Sequence, residues 1–246
     1  MIPKSHPRYI GLKTREKLIE GLEQGITAKA GLIAHGRGEA FDYLIGERTL
    51  PVAMKATKAA VAMLLLAEKP VLSVNGNVAA LVPGEIVQLG KLAGAPLEVN
   101  VFYRTEERIK KIRDELLRHG AGNVLTGKKA MLKGITHARA KVHPDGIYRA
   151  DVVFVPLEDG DRTEALVKMR KKVIAVDLNP LSRTSRAATI TVVDNVTRAM
   201  PNMVALAVKM KKMDRRSLEK IVDGFDNRKN LQEVLRRIKK SEHLRE

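Results

Sequence analysis

The sequence lacks cysteine and tryptophan altogether, and it has only four tyrosines and four phenylalanines. Without cysteine the chain cannot form a disulfide scaffold, a thiolate zinc site or a cysteine nucleophile. So few aromatic residues also argue against the modules that bind single-stranded nucleic acid by stacking bases on aromatic rings. Because the composition shows no use for an oxidising compartment, we expect a cytoplasmic protein.

Long apolar runs are missing as well. The most apolar stretch, residues 59–67, is bounded by Lys58 and Glu68, whereas a bilayer span needs about 20 apolar residues. The N-terminus has no apolar segment of signal-peptide length. We therefore expect a soluble protein with no membrane partner.

Acidic residues are in deficit, with 28 Asp and Glu against 45 Lys and Arg and a formal net charge of +17. A surface of this sign raises the local concentration of anions. Charge alone leaves two kinds of partner open, nucleic acids and phosphorylated small molecules. A basic nucleic-acid-binding protein and a nucleotide-binding regulator without catalysis are therefore alternatives to an enzyme.

The 246 residues are 44% hydrophobic, which is enough to build a large core. Neither a repeat nor a Gly/Ser-rich or Pro-rich linker divides the chain, so we expect one interlocked α/β unit over residues 1–246. Within it the patterns indicate an N-terminal helical part (about 1–69), a nucleotide-binding part (about 70–212) and C-terminal helices (213–246).

Short β-rich runs alternate with helical ones from residue 70 onward. This order predicts parallel strands joined by right-handed crossovers, hence a Rossmann-like parallel sheet flanked by helices. The predicted strands are 71–74, 97–103, 152–155, 173–176 and 189–193. The predicted helices are 14–23, 51–68, 84–92, one capped by Thr105 and closed by Gly120, 161–169, 197–212, and two short amphipathic helices within 215–240.

In an open parallel sheet, ligands bind beyond the carboxyl ends of the strands. Polar loops follow four of the predicted strands, at 75–77, 156–163, 177–186 and 194–196. Acidic side chains in these loops would repel a nucleic acid strand. The loops therefore favour a small anionic ligand, with a nucleotide as the first choice.

Two of these loops carry residue types that bind nucleotides. Asp177 is placed to accept hydrogen bonds from ribose hydroxyls, or it merely starts an Asx turn. Arg183 and Arg186 offer bidentate grips for phosphate, or they belong to a solvated basic loop. Asn195 opens a helix whose free N–H groups suit a nucleotide, although helix capping explains it equally well.

Residues 35–39 read His-Gly-Arg-Gly-Glu and predict a glycine-rich loop. The two glycines would let the backbone at Arg37 approach an anion closely; a tight turn is the alternative. The dinucleotide fingerprint fails here because its third glycine would be Phe41. A P-loop at 122–129 fails too, because the β-like residues lie inside the supposed loop instead of before it.

The pair Asp161 and Glu164 has the spacing of a capping box at the start of a helix, which we take as the first interpretation. Glu158 and Asp159 lie just upstream, and these two carboxylates also suit magnesium or a substrate ammonium. The six histidines show no zinc-binding spacing, and no GxSxG nucleophile motif is present.

Eight runs of the sequence together resemble archaeal phosphopantothenate synthetase, the 4-phosphopantoate:β-alanine ligase family. They cover nearly the whole chain in order, with weak matches at 122–141 and in the C-terminal helices. The runs are SHPRY at 5–9, REK at 15–17, GLIAHGRGEAFDYLIGE at 31–47, VNGNVAALVP at 74–83, FYRTEER at 102–108, ADVVFVPLEDGDRTEAL at 150–166, VDLNPLSRTSRAA at 176–188 and VDN at 193–195.

The resemblance implies a homodimeric, Rossmann-like ligase of coenzyme A biosynthesis. Such an enzyme joins 4-phosphopantoate to β-alanine through an acyl-adenylate, uses ATP as co-substrate with Mg²⁺, and releases AMP and pyrophosphate. On the matching positions it assigns ATP contacts to Arg15, Arg37, Asp177, Leu178, Asn179, Arg183, Thr184, Asn195 and Val196. Loop position alone suggests substrate contacts at His35, Asn75, Asn77 and Asp161, with Glu158 or Asp159 as other acceptors for the ammonium. No residue declares itself as the catalytic base or as a metal ligand.

Overall fold

A six-stranded sheet lies at the centre of the computed structural model, which describes residues 2–6, 8–127 and 129–240. Pro7 of the 5–9 run and Lys128 of the 122–129 run lie outside the described residues. In chain order the strands are β1 (Pro70–Val74), β2 (Leu97–Val99), β3 (Val124–Thr126), β4 (Ala130–Met131), β5 (Lys141–Val142), β6 (Val152–Pro156), β7 (Lys172–Val176) and β8 (Ile190–Val192). Strands β4 and β5 form a separate antiparallel pair.

Helices surround this sheet in the described part of the chain. They are α1 (Tyr9–Glu23), α2 (Lys29–Leu44), α3 (Pro51–Leu66), α4 (Gly76–Leu81), α5 (Pro83–Ala93), α6 (Glu106–Arg118), α7 (Gly160–Lys168), α8 (Arg183–Ala187), α9 (Val196–Met210), α10 (Arg215–Asp223) and α11 (Asn227–Lys240). Among these described helices, none combines the length and the apolar character that a membrane crossing requires.

The strand order in the main sheet is β3-β2-β1-β6-β7-β8, and every pairing is parallel. This is the order of the doubly wound dinucleotide-binding sheet, so the predicted Rossmann-like fold is confirmed. The direction of winding reverses between β1 and β6. At that reversal the carboxyl ends of the two strands open a crevice that no crossover covers.

Both faces of the sheet are buried, which is why its strands read as nearly continuous apolar runs. Successive residues of a strand point to opposite faces. Leu72 and Phe154 belong to the larger core, which α3, α5 and α9 cover. Val71 and Val153 point to a second core, which α7 and residues 130–150 cover on the other face.

Helix α11 protects the edge strand β8. Asn227 accepts a hydrogen bond from the Thr191 N–H (2.9 Å), and Asn230 donates to the Thr191 carbonyl (2.9 Å). These side chains satisfy backbone groups that an edge strand otherwise leaves open to pairing with another chain. The two amphipathic helices predicted within 215–240 are confirmed as α10 and α11, and residues 241–246 of the predicted C-terminal segment lie outside the described residues.

The prediction of a glycine-rich loop or tight turn at 35–39 was wrong, because α2 runs straight through this segment. Each glycine costs a helix interior about 1 kcal/mol relative to alanine. Tertiary contacts outweigh this cost: the buried Asp42 near the end of α2 accepts hydrogen bonds from Arg198 and Asn195 of the α9 segment. The contacts that decide the structure here come from residues far away in the sequence.

Other boundaries also differ from the predictions. Helix α1 begins at Tyr9, before the predicted residue 14. Strand β2 ends at Val99, four residues before the predicted end at 103. The loop predicted at 177–186 contains the short helix α8, and the loop at 75–77 is the start of α4. The predicted capping box is wrong, since α7 begins at Gly160 and the Asp161 carboxylate pairs with His137 instead (2.6 Å).

A buried carboxylate anchors the segment between β5 and β6. Glu98 of β2 is fully buried and accepts hydrogen bonds from the N–H groups of His143 (2.8 Å) and Ile147 (2.7 Å). It thereby fixes the π-helical turn Pro144–Tyr148 against the sheet. Burial raises the pKa of Glu98 to about 7, although the two hydrogen bonds and the charge of Arg162 act in the opposite direction.

The raised pKa of Glu98 predicts a pH-dependent stability. The folded state holds the Glu98 proton up to a higher pH than the unfolded state, so stability falls as pH rises from about 4.5 to 7. Between pH 5 and 8 this group should cost about 2 to 3 kcal/mol of unfolding free energy. In Glu98→Gln, which cannot titrate, that part of the pH dependence should disappear in urea titrations. Parallel stability profiles for the two proteins would contradict this prediction.

Candidate nucleotide-binding site

A cavity of about 650 Å³ opens at the carboxyl edge of the sheet, where the winding reverses. The structure brings to it the four polar loops that follow β1, β6, β7 and β8, together with one side of α2. Of the predicted contact residues, those that line the cavity are His35, Arg37, Asn75, Asn77, Glu158, Asp159, Asp177, Leu178, Asn179, Arg183, Thr184, Asn195 and Val196.

Helices α4, α7, α8 and α9 all begin at this cavity. The residues before their first turns are Asn75, Asp159, Ser182 and Asn195. The N-terminal end of a helix carries positive partial charge and unpaired N–H groups, which favour an anion. The edge of the sheet is therefore suited to phosphate before any charged side chain is considered.

Glycine at position 160 lets α7 and α8 begin side by side. A Cβ at Gly160 would collide with the side chain of Arg183. The hydroxyl of Thr184 donates to the carbonyl of Glu158 (2.9 Å) and joins the same two loops. This close approach positions Arg183 at the cavity.

Asp177 organises its own loop. Its carboxylate accepts hydrogen bonds from the Asn179 N–H (2.9 Å) and from the Ser182 hydroxyl, so the Asx-turn interpretation is confirmed. Burial raises the pKa of Asp177, against the effect of these hydrogen bonds and of the nearby Arg37 charge. Each carboxylate oxygen can accept more than one hydrogen bond, so the predicted ribose contact stays a prediction.

Arg37 and Arg183 differ in whether their side chains already have a partner within the protein. Among the described residues, Arg37 has no hydrogen-bond or ion-pair partner, although it lines the cavity. Arg183 forms a bidentate pair with Glu164 (3.0 and 2.8 Å), and its side chain is 57% exposed. Arg186, the other predicted phosphate contact, is exposed on α8 and is not among the residues that line the cavity.

Asn195 caps a helix, which was one of the two interpretations made from the sequence; its contact with a nucleotide stays a prediction. Its side-chain oxygen accepts a hydrogen bond from the Thr197 N–H (3.1 Å) and caps α9, while its nitrogen donates to Asp42 (2.9 Å). The side chain is therefore committed to the protein. What this residue and Val196 offer a ligand is backbone at the start of a helix.

Arg15 and Asp161, which were also predicted as contacts, lie away from the cavity lining as well. Arg15 pairs with Glu39 (2.9 Å) and also reaches the hydroxyl of Tyr43 (3.3 Å). Asp161 pairs with His137 beside α7. Their predicted contacts with ATP and substrate find no support in the geometry of the single chain.

The part of the cavity beyond β1 contains amides. The Asn75 nitrogen donates to the carbonyls of Pro156 and Leu157 (3.0 Å each), and its oxygen caps α4. Asn77 donates to the carbonyl of Gly31 (2.9 Å) and so holds α2 against α4. Asn75 therefore spans the reversal point of the sheet.

Sequence reasoning missed two arginines on this side, Arg108 and Arg139. Arg108 donates to the carbonyls of Ile26 and Tyr103 (3.0 Å each), and burial lowers its pKa, with the nearby Arg139 charge acting in the same direction. The run at 102–108 carried the signal for Arg108. No sequence pattern pointed to Arg139, because it follows a stretch without regular periodicity.

A buried ion cluster lies beneath this side of the cavity. Glu158, whose side chain is 1% exposed, forms ion pairs with both Arg139 and Arg162. Asp159 also pairs with Arg139, but its side chain is about half exposed. Removing one member of a buried pair costs about 3–5 kcal/mol, because the partner charge stays buried without compensation. Of the carboxylates predicted to hold an ammonium, only Asp159 both lines the cavity and stays accessible.

The oxygen atoms around the cavity can supply only part of the ligand set of a magnesium ion. Within the described residues, no three His, Asp or Glu side chains converge as a metal site. Mg²⁺ bound to a nucleotide usually takes one or two carboxylates and otherwise phosphates and water. Asp159 can supply one such oxygen, so a magnesium ion carried by the nucleotide fits the chemistry and stays a prediction.

A doubly wound parallel sheet, helix N-termini at the point where its winding reverses, and an arginine without a partner among the described residues are features typical of nucleotide-binding α/β proteins. The model of the phosphopantothenate/pantothenate synthetase family matches residues 52–241, and the chain belongs to this family. Proteins named 4-phosphopantoate--β-alanine ligase are similar to it. The one from Thermococcus kodakarensis is 60% identical over 97% of this chain and 92% of its own length. That from Methanosarcina mazei is 53% identical over 99% and 96%.

The exposed pair between Arg183 and Glu164 predicts opposite effects for its two members. Arg183→Ala should weaken ATP binding by about 1.5–3 kcal/mol, the size of a lost charge-assisted hydrogen bond. Glu164→Gln removes the carboxylate that competes with phosphate, so this variant should bind ATP at least as tightly as the native chain. Isothermal titration measures both, with Arg186→Ala as the control on the same helix. Equal losses for Arg183→Ala and Arg186→Ala would remove Arg183 from the site.

Proposed function

We propose that the protein is an ATP-dependent ligase of coenzyme A biosynthesis. It joins the carboxylate of 4-phosphopantoate to the amine of β-alanine and releases AMP and pyrophosphate. The observation that carries this proposal is a single cavity with a nucleotide side and a second cationic side. The names of the relatives, which match this chain over nearly its full length, agree with it.

The two sides of the cavity suit the two anionic substrates. Asp177, Arg37 and Arg183 lie on the nucleotide side, beyond β7. Arg108 lies on the other side, beyond β1, and offers a cationic group to a phosphorylated acid. The charge of Arg139, which lies beside it, is balanced by Glu158 and Asp159. The α2 helix borders both, because Gly31 contacts Asn77 and Gly38 faces Leu178.

Charge neutralisation is the main requirement of the first step. The acid carboxylate must attack the α-phosphorus of ATP, although the carboxylate and the phosphate oxygens around that phosphorus are both negatively charged. Cationic side chains and helix N-termini fixed before the substrates arrive stabilise the charge that develops in the transition state. Arg37 and Arg183 serve the nucleotide phosphates, and the α7 and α9 N-termini add partial charge.

In the second step the protein acts mainly by positioning the acyl-adenylate and the amine next to each other. The acyl-adenylate lies within reach of the amine if both occupy the same cavity, which replaces an encounter in solution by a reaction between oriented groups. Asp159 is the accessible carboxylate that can hold the β-alanine ammonium near the acyl carbon. The bond that forms is an amide C–N bond, and AMP leaves.

The ligase reaction can be tested directly. With ATP, 4-phosphopantoate and β-alanine, we expect AMP and pyrophosphate to form in step with 4′-phosphopantothenate. Leaving out β-alanine should stop product formation but preserve exchange of labelled pyrophosphate into ATP. A protein that binds nucleic acid with a steep salt dependence and forms no AMP would instead support the nucleic-acid alternative. A chain that binds ATP but forms no AMP with both substrates would be a nucleotide-binding regulator.

We further propose that the protein is a homodimer and works in the cytoplasm. The support for the dimer is the outer side of α2, where Ile33 and Leu44 are exposed (76% and 44%) three helical turns apart on one face. Light scattering after size exclusion should give twice the chain mass of 27.2 kDa. Ile33→Asp should shift the mass toward one chain, whereas a native protein that is monomeric at micromolar concentration would contradict the dimer.

A further inference from the structure

The second step of the proposed reaction needs a proton acceptor. When the amine nitrogen bonds to the acyl carbon it becomes positively charged and strongly acidic. A side chain that takes this proton accelerates the step by about 10²- to 10⁴-fold, and it works best with a pKa near the operating pH. The acceptor must be unprotonated, free of other partners and close to the place where the two substrates meet.

Most titratable groups around the cavity fail one of these requirements. The arginine side chains carry only N–H donors and offer no lone pair for a proton. Glu158 is bound by two arginines, Asp159 by Arg139, and Asp177 by its own loop. His35 differs from them, because its Nε2 is shielded from solvent and has no hydrogen-bond partner in the described part of the chain.

The position of His35 on α2 places it between the two sides of the cavity. Residues three or four apart on a helix lie on the same side. Gly31, four residues before His35, receives the hydrogen bond from Asn77 on the substrate side. Gly38, three residues after it, faces Leu178 on the nucleotide side; a Cβ there would lie 3.7 Å from the leucine side chain. His35 thus lines the cavity where a bound nucleotide and a bound acid would meet.

The surroundings keep this imidazole neutral. Burial lowers the pKa of His35, and the charge of Arg15 on α1 acts in the same direction. Glu39 and Asp42, on the same helix as His35, act against this shift. At neutral pH the ring therefore has a free lone pair, and a buried nitrogen without a partner gains a hydrogen bond when a substrate N–H reaches it.

We propose that His35 is the general base of the amide-forming step, an assignment that rests on the proposed ligase function. The β-alanine ammonium first loses one proton to solvent, and the neutral amine nitrogen forms the C–N bond. The proton that this nitrogen must then lose moves to Nε2 of His35. The C–O bond between the acyl carbon and AMP breaks, and AMP leaves with the electron pair. The imidazolium then returns its proton to solvent.

The two half-reactions separate this assignment from a structural effect. His35→Gln should keep 4-phosphopantoate-dependent exchange of pyrophosphate into ATP within about threefold of native, since adenylation needs no base from this residue. Amide formation with β-alanine should fall by about 10²- to 10⁴-fold. Hydroxylamine should largely bypass the defect, because it is unprotonated at neutral pH and its nitrogen sheds a proton to water readily once it bonds to the carbonyl.

A matched control and a second variant complete the test. His119→Gln changes an exposed histidine on α6 and should leave all three activities unchanged; His35→Asn covers the case in which the glutamine variant fails to fold. Three results would each overturn the assignment. The pyrophosphate exchange and amide formation could fall together, amide and hydroxamate formation could fall together, or amide formation could stay unchanged. Native protein that shows neither exchange nor amide formation would refute the ligase function itself, which is a different result.

Discussion

The reversal of winding between β1 and β6 is the constraint on which the rest of the site depends. Crossovers that turn away to either side leave the carboxyl ends of these strands uncovered. The Asn75 side chain spans the gap, because its nitrogen binds carbonyls beyond β6 while its oxygen caps α4. Loops from opposite halves of the chain therefore meet at one cavity, and each brings a helix N-terminus with it.

The arginines near the cavity fall into two groups by burial. Glu158 pairs with Arg139 and Arg162 inside the protein, and breaking such a pair costs far more than an exposed pair is worth. These ions hold the loop after β6 in one geometry. Arg183, by contrast, is paired at the surface, where exchanging a carboxylate for a phosphate costs little. Buried pairs thus fix the cavity, and exposed or free cations remain to bind ligands.

The sequence alone predicted those strands and helices that a local residue pattern marks. Apolar runs buried on both faces predicted β1, β6, β7 and β8, and Thr105 predicted the start of α6, which its side chain caps. Polar residues after four strands predicted the loops that the cavity brings together. Arg139 could not be predicted, because its position depends on contacts between β2, the loop after β6 and a segment without periodicity.

Helix α2 illustrates why local and long-range signals disagree at this site. Three glycines within eight residues predict a loop by propensity, yet here one of them serves packing. A Cβ at Gly31 would collide with Asn77, whereas a Cβ at Gly38 would make only an ordinary contact with Leu178. Gly31 therefore lets α2 lie directly against the start of α4, and Asp42 holds the end of α2 to Arg198. A rigid helix, unlike a loop, fixes the spacing between His35 and Arg37, so the cost in propensity is accepted where two substrates must meet in a defined geometry.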